Sequence, residues 1–395
     1  MNSKYSVAAH WEGDFDEAGL QGWAEGLRRQ MQTAPISLGL VFMTPRFFPH
    51  AQQVLEILQV HGQIPLLMGC SSNSLIAGDR EIEDGAGLSL GLYSLPGAQL
   101  HAVHFTQEQL EAAENPEFWP QHTGVQPGDC NGWLTFVDPF NIDSEGWLRS
   151  WSAAYPAAPV LGGLAGGDFS ERNTQIYLNG EVFDEGGVGL AVGGEVELAS
   201  VISQGCTPIG ETWTLTHVNQ NIIQQIGNRP AYEVLAETVQ NLSEEEQKAA
   251  RGNLLIGLVV NEYLEDFHRG DFLIRNLLGA DAQSGAIAVG ALPRPGQTIQ
   301  FQRRDAEAAN EDMSELLARA SKQLADRTIL GACLCSCNGR GEGLFGQPNH
   351  DASMVQERLG PIGLAGFFCS GEIGPIGERN FLHGFTASLA VFVKK

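Results

Sequence analysis

The sequence predicts an α/β (α+β) protein: two domains of mixed β-sheets flanked by helices, built from repeated β-α-β-β-type units. Three observations predict it. Helical and strand-like periodicities alternate in every quarter of the 395 residues. Short apolar runs follow one another through tight turns, fed by 48 glycines that sit beside apolar residues rather than in Gly/Ser tracts. A pattern of Pro, apolar residues, then Gly and small residues recurs in PLLMGCSSNSLI (65–76), PVLGGLAGGDF (159–169) and PIGLAGFFCSGEIGP (361–375).

The elements follow in order. Residues 14–33 form an amphipathic helix, with Leu20, Trp23, Leu27 and Met31 on one face. Residues 36–45 are a buried strand ended by Pro45. A helix with the stripe Phe47, Phe48, Ala51, Val54, Leu55 and Leu58 comes next and stops at Gly62. A strand enters the GCSS turn, and strands follow at 85–95 and 98–105. The same order returns: a strand at 132–140, a helix at 143–155, an apolar strand and Gly turn at 158–169, then three more strand-like runs to 203. Two copies of a β-α-β-β-β unit thus fill the first half. The second half opens with a helix near Arg229 and another capped by Ser243, with Glu246 three residues on. Strands at 253–262 and within 285–305, a helix at 307–324, a strand at 328–337 and a closing strand to Val393 complete it. The domains are drawn as an N-terminal helical segment 1–34, then 35–225 and 226–395.

Composition narrows the function. Hydrophobic residues make up 43% and charged residues 18%, a balance that folds rather than stays disordered. The net charge of −24 repels nucleic acid and anionic lipid, and the longest basic runs are pairs. The start has no secretory pattern and no 18-residue apolar stretch occurs. Seven cysteines, an odd number, read as reduced thiols in the cytoplasm. No H-x-x-x-H or C-x-x-C pair is present, so neither a metal nor a cofactor is expected.

LGLVFMTP, PLLMGCSSNSLIAGDREIEDGAGLSL, GDFLIRNLLGAD, GQTIQFQRRDAEAANEDM, CNGRG and GLAGFFCSGEIGPIGERNFLHGFTASLAVF together resemble the FIST family, whose name comes from F-box and intracellular signal transduction proteins. The resemblance covers most of the chain as an N- and a C-terminal domain. It implies a sensory module for small metabolites, amino acids among them. The chain carries no F-box, kinase motif set or signalling coiled coil, so its output would pass to a separate protein. The family supplies no catalytic residue to carry over.

The residues at the strand ends suggest a ligand site. Cys70, Ser71 and Ser72 combine a thiol, hydroxyls and free backbone N–H groups at a turn. Cys333, Cys335 and Cys337 alternate along one strand and read as small core residues. Arg340 leaves a strand end through the turn at Asn338 and could grip a carboxylate in bidentate fashion; an ion pair with Glu372 or another acid is the alternative. Phe368 could wall a pocket that Ser370 and Gly371 leave open to the backbone, with Glu372 taking an ammonium group. Arg379 and Asn380 follow at a turn. His383 reads as a core or capping histidine, and Arg269–Asp271 as a turn. The expected function is a cytoplasmic sensor of an amino acid or other carboxylate, without cofactor. Two alternatives remain: an enzyme using Cys70 or Cys369 on a small acyl or thiol substrate, and a ligand-free interaction scaffold.

Overall fold

The computed structural model describes residues 5–32, 34–168 and 170–395. Thr33 and Phe169, which the 14–33 helix and the 158–169 strand-turn include, lie outside the described residues. The chain forms two compact units: Met1–Ile202 with Ser314–Leu382 and Thr386–Lys395, and Ser203–Met313 with His383–Phe385. These units divide the chain differently from the linear split at 225/226.

The first unit is built from three copies of one motif, each an outer strand, helix, strand, helix, strand, two-stranded hairpin and strand. The first copy contains β1 (Ser6–Glu12), a helix over Glu17–Gln30, β2 (Leu38–Met43), a helix over Ala51–Gly62, β3 (Leu67–Ser71), the hairpin β4 (Leu75–Ala77) and β5 (Arg80–Ile82), and β6 (Gly87–Tyr93). The second contains β7 (Ala98–Phe105), two short helices, β8 (Gly132–Val137), a helix over Ser144–Ala154, β9 (Val160–Leu164), the hairpin β10 (Ile176–Leu178) and β11 (Glu181–Phe183), and β12 (Gly187–Gly194). The third opens with β13 (Val196–Ser203) and is then interrupted by an insertion. That insertion carries β14 (Cys206–Asn219), β15 (Ile222–Ile226), β16 (Arg229–Pro230), β17 (Leu254–Val259), β18 (Phe272–Asp281), β19 (Ala286–Val289) and β20 (Thr298–Arg304). The third copy resumes with a helix over Ala306–Gln323, β21 (Ile329–Cys337), a helix over His350–Leu359, β22 (Leu364–Cys369), the hairpin β23 (Glu372–Ile376) and β24 (Arg379–His383), and β25 (Ala387–Lys394).

Three equivalent six-stranded sheets result, ordered β1-β6-β2-β3-β10-β11, β7-β12-β8-β9-β23-β24 and β13-β25-β21-β22-β4-β5. Each copy lends its hairpin to another copy's sheet, so the three are locked in a cycle. One core, including Phe42, Leu134, Phe136, Cys335 and Phe367, fills the space the sheets share. The helices of the first two copies cover the outer faces of their sheets with separate apolar layers.

The recurrent Pro–apolar–Gly pattern has a physical cause. Gly69, Gly162 and Gly366 occupy the same register on the parallel partners of β2, β8 and β21, facing Val41, Thr135 and Leu334. A Cβ on each would lie 1.7, 1.8 and 2.0 Å from the carbonyl oxygen of that partner. Only glycine allows the backbones to come so close.

The insertion is a unit of its own. Its strands run β14-β20-β17-β18-β19-β15-β16, and an added β14–β15 pairing closes six of them into an antiparallel barrel. Ile256, Ile287 and Phe301 pack in its core with Val234 from the helix Ala231–Gln240. Ser243 caps the next helix in a full capping box with Glu246.

Sequence reading missed β1, β14, β15, β18 and the helix over His350–Leu359. It also ran the 36–45 and 132–140 strands past their ends, because the proline was read as the stop while the ladders end earlier, at Met43 and Val137, before the turn residues Thr44 and Asp138.

Candidate functional site

The parallel pair β21–β22 ends at Cys337 and Cys369, which face each other in register. Beyond Cys337 the chain turns through Asn338 and Gly339, and the N–H of Arg340 bonds back to the Cys337 carbonyl at 2.8 Å. That turn directs the Arg340 side chain inward, leaving the residue 2% exposed. Its Nε donates to Asp351 Oδ2 at 2.6 Å and its Nη2 to Asp351 Oδ1 at 3.0 Å. This is the bidentate geometry a guanidinium adopts with a carboxylate. His350 Nδ1 lies 3.0 Å from Asp351 Oδ1, and Ser336 Oγ donates to Oδ2 at 3.1 Å. Phe345 stacks on His350 with ring centroids 3.5 Å apart, and the Arg340 guanidinium lies 5.3 Å from the same ring. Burial opposes ionisation of Asp351, yet Arg340 and His350 hold its carboxyl well below the usual range.

Glu81 of β5 reaches the start of the same helix, its Oε1 accepting from the Ala352 N–H at 2.9 Å. Burial, with the Asp351 charge adding to it, pushes its carboxyl up to about 7.

Glu372 begins β23 and is fully buried. Its Oε2 accepts from the Thr386 N–H at 3.0 Å and its Oε1 lies 3.4 Å from Cys369 Sγ. Burial pushes its carboxyl up to about 8, against the pull of the Thr386 N–H, the Cys369 and Cys337 thiols and Arg340. Register makes this position notable. Glu372 pairs with Gly163 as Leu75 pairs with Phe367 and Ile176 with Cys70. The first two copies place Leu75 and Ile176 in the core at this point; the third places a carboxyl.

The other expected site residues divide. Asn338 Nδ2 donates to Ser370 Oγ at 3.0 Å, both at the surface, and Gly371 accepts from the Leu164 N–H. Ser71 and Ser72 are buried and tie the copies together: Ser71 Oγ donates to the Gly166 carbonyl at 2.6 Å and Ser72 Oγ to that of Phe368 at 2.7 Å. Cys70 and Phe368 are buried as well. Arg379 and Asn380 lie toward the far end of the hairpin from Glu372. Asn380 Oδ1 accepts from the N–H of Val160, at the start of β9, while Arg379 is exposed over Phe381. The ion-pair alternative for Arg340 is realised, with Asp351 as the acid rather than Glu372. The missed residues are His350, Asp351, Phe345 and Glu81. Asn349 followed by an acid in the first turn is a helix-start signal that could have found the helix carrying His350 and Asp351, while Phe345 and Glu81 carry no such signal.

Both cysteines of the enzyme alternative are fully buried. Burial pushes the Cys70 thiol well up, helped by Cys333, and does the same to Cys369, helped by Glu372. Neither favours a thiolate.

No described helix is long and apolar enough to cross a membrane. Comparison with known proteins places the chain. The model of the FIST N domain matches residues 37–229 and that of the FIST C domain residues 231–375. An uncharacterized protein of Mycobacterium tuberculosis (strain CDC 1551 / Oshkosh) is 36% identical over 87% of this chain and 88% of its own length. One of Mycobacterium bovis is 37% identical over the same shares. Among solved structures, a cyanuric acid hydrolase (9% identity, TM-score 0.33, 99% of this chain and 100% of that one) and a chorismatase (8%, 0.33, 98% of each) align, too distantly to bear on activity. FIST domains are sensory domains of signal transduction, and this chain, matched by both FIST models in order and by relatives along most of its length, belongs to the FIST family.

Proposed function

We propose that the protein is an intracellular sensor of a small carboxylate-bearing metabolite, an amino acid or organic acid, and that it signals through a separate protein. The ligand's carboxylate competes with Asp351 for Arg340, and an ammonium or hydroxyl group meets Glu372. One observation carries this reading: where two copies of the motif bury Leu75 and Ile176, the third buries Glu372, near Arg340 and its ion pair. A buried ion pair adds little net stability over apolar packing, so its presence points to a switching or recognition role. Arg340 lies in the segment 339–346, which holds four glycines and gives the backbone freedom to follow a change of partner. The ligand then shifts the equilibrium between two arrangements by its differential affinity for them.

Calorimetric titration against a panel of amino acids and small organic acids tests this. At least one acid binds the wild-type chain, and binding is lost in Arg340→Ala and weakened in Glu372→Leu. Undiminished affinity in both variants would remove the site. Silence across the panel, together with stable capture of a partner by ligand-free protein, would favour the scaffold reading.

A further inference from the structure

A second feature lies at the free edge of the first sheet. Among the described residues β1 pairs with β6 alone, so its other edge carries no described strand. The Ser94 N–H bonds to the Tyr5 carbonyl and the Gly13 N–H to the Ala86 carbonyl. With the antiparallel register between them, the odd-numbered residues of β1 exchange bonds with β6. The backbone N–H and C=O groups of Ala8, His10 and Glu12 therefore point away from the sheet, the arrangement that accepts an added strand.

Beside that edge runs a groove of about 490 Å³, walled on its far side by the β4–β5 turn and the approach to β22. Ala8 and Gly78 line it, and a Cβ on Gly78 would meet nothing within 4 Å, while Gly363 closes one end by packing on Ser6, whose Oγ accepts the Gly363 N–H at 2.9 Å. His10, Arg80 and the exposed Asp79 also line the groove. Arg80 is exposed and makes no ion pair or side-chain hydrogen bond among the described residues, and Nε2 of His10 has no hydrogen-bond partner among them. A guanidinium left free beside open strand donors suits the end of a chain rather than its middle, because a terminal carboxylate supplies the paired oxygens it binds.

We propose that this groove docks the carboxyl-terminal segment of a partner protein in extended form, added to β1 as a further strand with its terminal carboxylate on Arg80. The proposal gives the sensor's output a class of partner and rests on the sensory reading only for that use. The groove shares no residue with the Arg340 site, so either can fail alone.

The test uses the full chain and a pool of randomised pentapeptides, prepared once with free C-terminal carboxylates and once as amides. Hydrogen exchange is read at single amides of β1. The acid pool slows exchange at Ala8, His10 and Glu12 by about tenfold or more and the amide pool does so far less. Arg80→Ala erases the difference between pools. Ala8→Pro removes one outward donor, a change that edge strands tolerate, and abolishes the protection. Unchanged exchange of Val7, Ala9 and Trp11 in that variant reports that the β1–β6 ladder is intact. No added protection in the wild-type chain, or equal protection by acids and amides, overturns the proposal.

Discussion

The strand ends of the three copies occupy equivalent positions and hold different chemistry. After β2, Thr44 closes the turn by exchanging hydrogen bonds between its hydroxyl and the backbone of Gly87. After β8, Asp138 does so as an acceptor for the Phe140 and Asn141 N–H groups and the Thr174 hydroxyl. Both solutions use short side chains with partners that the fold brings up, Gly87 and Thr174 among them, and each leads into a proline. After β21 the chain has glycines instead, and the inward-turned Arg340 needs a partner from a helix eleven residues on. The neighbouring hairpins repeat the contrast, with Leu75 and Ile176 against Glu372. A fold that needs only apolar residues at this point in two copies does not need a carboxyl in the third. The departure from threefold equivalence therefore marks the site more sharply than any single motif.

The largest expected effect comes from breaking the ion pair. Asp351→Ala leaves Arg340 buried without its carboxylate, and chemical denaturation should report a loss of about 3–5 kcal/mol.

Next is the pH dependence created by Glu372. Its folded carboxyl is raised to about 8, so the folded state holds a proton that the unfolded chain releases above the ordinary carboxylate range. Stability is full at acidic pH and falls as pH rises from about 5 toward 8, by roughly 2–4 kcal/mol. Glu81, raised to about 7, acts in the same direction. Asp351 acts oppositely and costs stability only at strongly acidic pH, as its lowered carboxyl takes up a proton. Glu372→Leu copies the first repeat and should flatten most of the fall in thermal melts between pH 5 and 9.

The copies should agree where their chemistry agrees. Gly69→Ala, Gly162→Ala and Gly366→Ala each force a Cβ onto a strand carbonyl and should cost about 1–3 kcal/mol or more apiece. A tolerated alanine at one of the three would show that the register there is not equivalent.

The smallest effect is the control. Thr44→Ala removes a hydroxyl bonded to the Gly87 backbone and should cost about 1 kcal/mol without altering ligand affinity.

Much of the fold was legible because periodicity and the Pro–apolar–Gly signal are local. The repeat could be read at GCSS, GGLA and GFFCSG, and the order of strands and helices followed. The exchange of hairpins between copies was not legible, since β4, β10 and β23 are too short to name their partners. The barrel of the insertion was half hidden for a related reason. β14 alternates through exposed residues such as Glu211 and turns at a bulge near Gly210, so its apolar pattern is broken. At the site, Arg340 and Glu372 stood out by residue type against small neighbours. Asp351 did not, because an acid in the first turn of a helix is common on surfaces and nothing local says that this one is buried.

The central claim is that Arg340 exchanges Asp351 for the carboxylate of a ligand. The side-chain Nε–H of Arg340, followed by nitrogen-resolved NMR while the wild-type chain is titrated with the panel acids, tests it most directly. A binding acid should shift this signal in a saturable way, and an uncharged ester of the same acid should not. An Arg340 signal unmoved while the acid demonstrably saturates the protein would contradict it.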